Sequence, residues 1–268
     1  MPNTLMTSVS NPKKLDEAWS LQYEMLAEQF AALVPPGDGP LVEIGCGSGQ
    51  LTVPLARLVG GRGLIGVDRY AGPYVDSREK LLTAVARHGL EGSVRVIIAY
   101  GLKWLSDQRD GQYEAVISSE FLPELSSYEV ESFFSDCHRV LKPGGVTIHS
   151  FLSPKPRNPR QKLVIDADSD TRWTRFPPKE WFSPPPRLAA SQLRKAGFME
   201  PQTIVLKSGL TVRAAAARAL LLRWGVREGF WDFHEQKLTT GGLEIPDWIV
   251  ITGRRASRKV GTPQRKRD

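Results

Sequence analysis

Three glycines stand at alternate positions, Gly45, Gly47 and Gly49, directly behind a mainly apolar run at 41–44. Missing side chains at a turn leave room for a ligand to lie against the peptide groups. Glu43 sits inside that apolar run. A carboxylate there suits a cationic ligand better than a pyrophosphate. The spacing G-x-G-x-G also departs from the dinucleotide fingerprint G-x-G-x-x-G, because Gln50 occupies the place of the third glycine. A second apolar run, 64–67, ends in Asp68, nineteen positions past Gly49 (68 − 49). An acid about 20 residues beyond a glycine loop reaches the ribose hydroxyls of a bound nucleoside. The competing role for Asp68 is a simple turn cap.

These residues need a strand, a tight loop and a helix, repeated. Strands are expected at 40–45, 63–67, 93–99, 113–118, 146–152, about 202–207 and 248–252. Helices are expected between them. The first, about 49–59, has Leu51, Leu55 and Leu58 inward and ends at Gly60-Gly61. Asp76 with Glu79, and Ser126 with Glu129, have capping-box spacing. Val130, Phe133, Phe134, Cys137 and Leu141 form the inward stripe of the second capped helix, which assigns Cys137 to the core. A leading helix at 13–34 carries Leu15, Trp19, Gln22, Leu26, Phe30 and Leu33 at three- and four-residue steps. Strands alternating with helices imply a parallel sheet covered on both faces, with ligands bound beyond the carboxyl ends of the strands. That rim collects Glu43, Asp68, Tyr100, Ser118 and His149.

With Glu43, Gly45, Gly47 and Gly49, the chain resembles the class I S-adenosylmethionine (SAM)-dependent methyltransferases, whose first motif is (D/E)-x-G-x-G-x-G. Tyr113 to Ser118 and the Leu141-Lys142-Pro143-Gly144-Gly145 turn are similar to later motifs of small-molecule members, in the broad group that includes quinone-biosynthesis and type 11-like methyltransferases. The resemblance runs from about 19 to 255. It implies a doubly wound, Rossmann-like sheet of seven mostly parallel strands with an antiparallel last strand and inserted segments. It implies that Glu43 and the loop residues Gly45, Cys46, Gly47, Gly49 and Gln50 face the methionine end of SAM. Asp68 would bind the ribose, Arg69 and Tyr70 would flank the adenine, and backbone at Gly101 and Leu102 would replace an acid that many members carry there. Ser118, Ser119 and Glu120 would close the site. Glu120 is the first candidate base and His149 the second. The product of the cofactor would be S-adenosylhomocysteine, and no metal is implied.

The chain has 268 residues, which suits one large domain with insertions. Residues 1–12 are expected to be flexible, 13–253 to form the domain, and 254–268 to form a basic tail. Insertions are expected at 153–186, a proline-rich flap with Trp173, Phe176, Trp181 and Phe182, and at 211–240, beginning with a helix at 211–224. Net charge is +7, of which the tail carries +6, so the body is nearly neutral. Two distant cysteines argue against a disulfide framework or a zinc cluster and for a reducing cytosol. No apolar run approaches the ~20 residues of a membrane span, and no signal peptide is expected at the start. The leading expectation is methyl transfer to a small-molecule acceptor in the cytoplasm. Alternatives are RNA or ribosomal-protein methylation, with the tail and the Lys155–Lys162 cluster gripping phosphates, and a catalytically silent SAM-binding scaffold.

Overall fold

The computed structural model describes residues 7–71, 75–175 and 185–257, with backbone alone at 171–175. In chain order the elements are β1 (Thr7–Val9), α1 (Leu15–Leu33), β2 (Leu41–Ile44), α2 (Thr52–Leu58), β3 (Leu64–Asp68), α3 (Ser77–Arg87) and β4 (Val94–Ile98). Next come α4 (Gly101–Ser106), β5 (Tyr113–Ser119), α5 (Ser127–Val140), β6 (Leu141–Leu152), α6 (Pro159–Arg175) and α7 (Pro186–Lys195). The chain continues through β7 (Met199–Leu206), β8 (Leu210–Val212), α8 (Ala214–Trp224), α9 (Glu228–Gly241), β9 (Leu243–Glu244) and β10 (Trp248–Arg254).

Seven strands form one sheet in the order β4-β3-β2-β5-β6-β10-β7. The first five are parallel to their neighbours, and β10 runs antiparallel to both β6 and β7. This is the expected doubly wound α/β architecture. The chain reverses its direction of travel across the sheet at β2, which pairs with β3 on one side and β5 on the other. A crevice opens beyond the carboxyl ends of the strands at such a switch point. All four residues of β2 are buried, as a strand covered on both faces requires.

Two apolar layers sandwich the sheet. Leu26 and Phe30 of α1, Leu55 of α2 and Leu81 of α3 pack on one face with Ile117, Ile148 and Trp248. Phe133, Phe134 and Cys137 of α5 and Leu193 of α7 pack on the other with Val42, Val116 and Ile251. Cys137 is in the core, as its stripe predicts, and Ser126 with Glu129 forms a complete capping box at the start of α5. Asp76 with Glu79 does not: Asp76 has helical dihedrals and makes no side-chain cap bond. Leu58 is 51% exposed rather than inward, because α2 ends there.

A third cluster lies outside the sheet and accounts for the main departures from expectation. Residues 7–9 are not loose: Thr7, Ser8 and Val9 pair in parallel with Leu210, Thr211 and Val212, and Val9 is buried. The stretch 211–224 is not one helix, since β8 occupies its start and α8 begins only at Ala214. The proline-rich segment contains a 17-residue helix, α6, whose Leu163 and Val164 pack with Leu220 of α8 and Leu238 of α9. Phe176, Trp181 and Phe182 lie outside the described residues, as does most of the basic tail, 258–268. Arg254 ends β10, and the Arg255 guanidinium donates to the Arg139 carbonyl at 2.8 Å, so both belong to the folded body.

Candidate active site

A cavity of about 340 Å³ occupies the switch-point crevice. Its base is the glycine loop between β2 and α2. Gly45, Gly47 and Gly49 have φ of 79°, 47° and 83°, the left-handed region that favours glycine. A Cβ on Gly49 would sit 2.3 Å from Leu81 Cδ1, and one on Gly45 would sit 2.9 Å from Phe121 Cδ2. The loop is stitched to β3, because the Gly45 and Cys46 amides both donate to the Val67 carbonyl, at 2.8 and 3.3 Å. Among the predicted loop residues, Gly45, Cys46, Gly47 and Gln50 line the cavity, whereas Gly49 shapes the turn beneath it.

Asp68 ends β3 at the cavity wall. Its Oδ2 accepts from the Gly47 amide at 3.0 Å and its Oδ1 from the Tyr70 amide at 2.8 Å. An ionised carboxylate has about four lone-pair sites, so each oxygen keeps capacity for one more donor. Two outward acceptors side by side match a vicinal diol. Tyr70 takes φ 48° to deliver its amide. Its ring does not flank the cavity as expected; it turns inward and its hydroxyl shares a 3.2 Å hydrogen bond with Cys46 Sγ. Burial pushes both the Tyr70 hydroxyl and the Cys46 thiol above their usual ranges, so both stay protonated at neutral pH. Arg69 lines the cavity directly.

Glu43 is 1% exposed and forms part of the cavity wall. Its Oε2 accepts from the Thr52 hydroxyl at 2.7 Å. Burial lifts its pKa to about 7, with the Asp68 charge adding to the rise and the Thr52 bond opposing it.

On the far side, Ser119 and Glu120 line the cavity and Ser118 does not. Successive side chains of a strand point to opposite faces, so only one of the two serines can face the cavity. Ser118 is buried beneath, with its hydroxyl 2.8 Å from His149 Nδ1. His149 is likewise no rim residue. It is fully buried against Phe133 and Phe134, and its Nε2 lies 2.6 Å from the Thr147 hydroxyl. Burial holds its pKa at about 3, so it is neutral and both ring nitrogens are engaged. This removes His149 from the candidate bases. Glu120 takes φ 55°, and the Leu152 amide donates to its Oε1 at 2.6 Å, which fixes the carboxylate at the wall. Gly101 lines the cavity beside Tyr100, whereas Leu102 packs into the core below.

Five residues beyond the motifs also reach the cavity: Tyr23 of α1, Ser77 of α3, and Phe121, Glu124 and Leu125 after β5. Tyr23 packs edge-on against Trp248, with ring centroids 5.6 Å apart. Gln22 beside it accepts from Trp248 Nε1 at 3.3 Å and donates to the Ser208 carbonyl. The leading helix therefore packs on the sheet and also covers the cavity. Its polar Gln22 on an otherwise apolar stripe was the sequence signal for this anchoring. Three cations of the 155–162 cluster, the phosphate grip of the alternative reading, are paired with acids. Arg157 pairs with Asp247 at 2.8 Å, Arg160 with Glu244 at 2.7 Å and Lys162 with Asp166 at 2.7 Å.

The methyltransferase-domain family matches residues 41–145, which span the glycine loop, Asp68 and Glu120. By this match and by its relatives, the chain is similar to methyltransferases. It is 27% identical over 195 residues to a ubiquinone biosynthesis O-methyltransferase of Roseobacter denitrificans, covering 71% of this chain and 72% of that one. A protein of the same name from Ruegeria pomeroyi is 29% identical, and the match covers 60% of each chain. A cyclopropane-fatty-acyl-phospholipid synthase-like protein of Lactobacillus casei shares the fold, with a TM-score of 0.64 at 15% identity, over 92% of this chain and 94% of that one. Among the described residues, no helix is long and apolar enough to cross a membrane.

Proposed function

We propose that the crevice cavity binds SAM and that the protein transfers the methyl group to the hydroxyl of a small-molecule acceptor, leaving S-adenosylhomocysteine. The observation that carries the reading is the Asp68 carboxylate, held by the Gly47 and Tyr70 amides at the mouth of a glycine-lined cavity. Asp68 would take the ribose diol and Glu43 the cationic methionine end. Gly45, Cys46, Gly47 and Gln50 would give that end a close approach to backbone. Arg69, Tyr100 and Gly101 would border the adenine.

SAM supplies a methyl group on a positive sulfur, ready for in-line displacement. The protein then has to hold the acceptor oxygen in near-attack geometry, an effect worth up to ~7–11 kcal/mol, and to receive its proton. Ser119, Glu120 and Glu124 stand at the cavity wall beyond β5. Both carboxylates can accept a proton, and Glu120, fixed by the Leu152 amide, is the leading candidate. Tyr23 and Phe121 offer aromatic surface for a planar acceptor. The names of the relatives support an O-methyl acceptor. The nearly neutral body and the acid-paired Arg157 and Arg160 favour a small molecule over RNA.

The test is methyl transfer from labelled SAM into a cell extract, fractionated by size. Label in a small organic fraction supports the reading. Label only in RNA or protein, or no transfer with SAM bound, overturns it.

A further inference from the structure

Glu43 is a carboxyl that suits a cationic ligand but is buried. It lies in the middle of the sheet, paired to Gly66 of β3 on one side and Ile117 of β5 on the other. It is 1% exposed, yet its side chain forms part of the cavity wall. One neutral hydroxyl, Thr52 on α2, donates to it. The titratable groups facing it are the Asp68 carboxylate on β3, the Cys46 thiol in the glycine loop and the Tyr70 hydroxyl bound to that thiol. Glu120 and Glu124, beyond β5, and Arg69, directly after β3, line the same cavity. The charge that acts on Glu43 is that of Asp68. The thiol and the phenol are neutral, and Arg69 is not among the groups acting on it, so no opposite charge offsets a negative Glu43. A carboxyl buried without an opposite charge takes up a proton instead. Its lifted pKa agrees with that geometry.

We propose that Glu43 is a proton-exchanging contact of the donor site: the positively charged methionine end of SAM settles beside a carboxyl that carries a proton in the free protein and sheds it as the ligand binds. The inference rests on the reading of the cavity as the SAM site. Only the carboxyl O–H bond breaks, and the proton goes to solvent. The incoming cation supplies the opposite charge that the fold withholds, so the carboxylate becomes the stable form. Donor affinity is thereby linked to pH. A nucleoside lacking the cationic end gains nothing from the exchange.

Calorimetric titration with SAM in two buffers of different ionisation heat counts the protons released. With Glu43 near 7 in the free protein, its share is ~0.9 proton at pH 6, about half at pH 7 and ~0.1 at pH 8. The donor's own α-amino group titrates at about 7.7–8.0, so the quantity read is wild type minus Glu43→Gln. Over pH 6 to 8 the wild-type affinity rises about tenfold relative to that variant. Thr52→Val removes the bond that favours the ionised form, so its release midpoint moves to higher pH. This comparison stands even where Glu43→Gln fails to fold. Adenosine releases no proton through Glu43. SAM binding with equal release in wild type and Glu43→Gln, or an unmoved midpoint in Thr52→Val, overturns the inference while leaving the cavity assignment intact. No SAM binding by the wild type overturns both.

Discussion

Replacing Asp68 by alanine removes one carboxylate with two jobs. Its oxygens accept from the Gly47 and Tyr70 amides, at 3.0 and 2.8 Å. In the donor complex they would also accept from the ribose hydroxyls. A hydrogen bond to a charged group is worth ~1.5–3 kcal/mol. Loss of the ribose contact alone therefore weakens SAM binding ~10- to 150-fold. Loss of the Tyr70 contact adds to this, because the left-handed φ of 48° at Tyr70 costs on the order of 1–2 kcal/mol and the Asp68 bond helps to hold it. Calorimetry with SAM, adenosine and methionine separates the contributions. Affinity for SAM and adenosine should fall together, since both carry the ribose, and affinity for methionine should change less than threefold. Circular dichroism checks that the variant is folded. A folded Asp68→Ala protein that binds SAM as tightly as wild type, or one that loses methionine and keeps adenosine, would refute the placement of the ribose.

Three further outcomes follow from the geometry. Gly49→Ala forces a Cβ to within 2.3 Å of Leu81 Cδ1 at a φ of 83°, so a loss of ~1–3 kcal/mol is expected; thermal melting should read a drop of a few degrees, and an unchanged melting temperature refutes the tight turn. Glu43 and His149 pull stability in opposite directions with pH. Glu43, raised from 4.5 to about 7, favours the folded state at low pH and costs stability as pH rises through 7, whereas His149, lowered from 6.5 to about 3, costs stability as pH falls below 6.5. Glu43→Gln should therefore stabilise the free protein at pH 8 by up to ~3 kcal/mol and not at pH 4.5, while His149→Gln should flatten the acid limb by ~2 kcal/mol at pH 5, both read by denaturant titration. Val9→Ala should destabilise by ~1–2 kcal/mol, because Val9 is 4% exposed in the third cluster; no loss of stability on denaturant unfolding would mean that the first strand does not dock.

Sequence alone determined the alternation of strands and helices, the glycine loop and the two acids, because each is a local pattern. Apolar runs, capping residues and left-handed glycines act within a few residues of themselves, so Glu43, Asp68 and the Ser126–Glu129 cap were legible without a fold. Tertiary structure decided which neighbour faces the cavity. Ser118 and Ser119 are chemically alike, and strand parity in a sheet buried on both sides sends one to His149 and the other to the cavity. The same packing sealed His149 between two hydroxyls and turned Tyr70 away from the cavity to Cys46. Only the fold could join Thr7–Val9 to Leu210–Val212, since a three-residue strand has no signal until its partner, some 200 residues away, is beside it. The charge state of Glu43 belongs to the fold as well: its type and spacing were plain in the chain, but burial on the central strand is what makes it hold a proton.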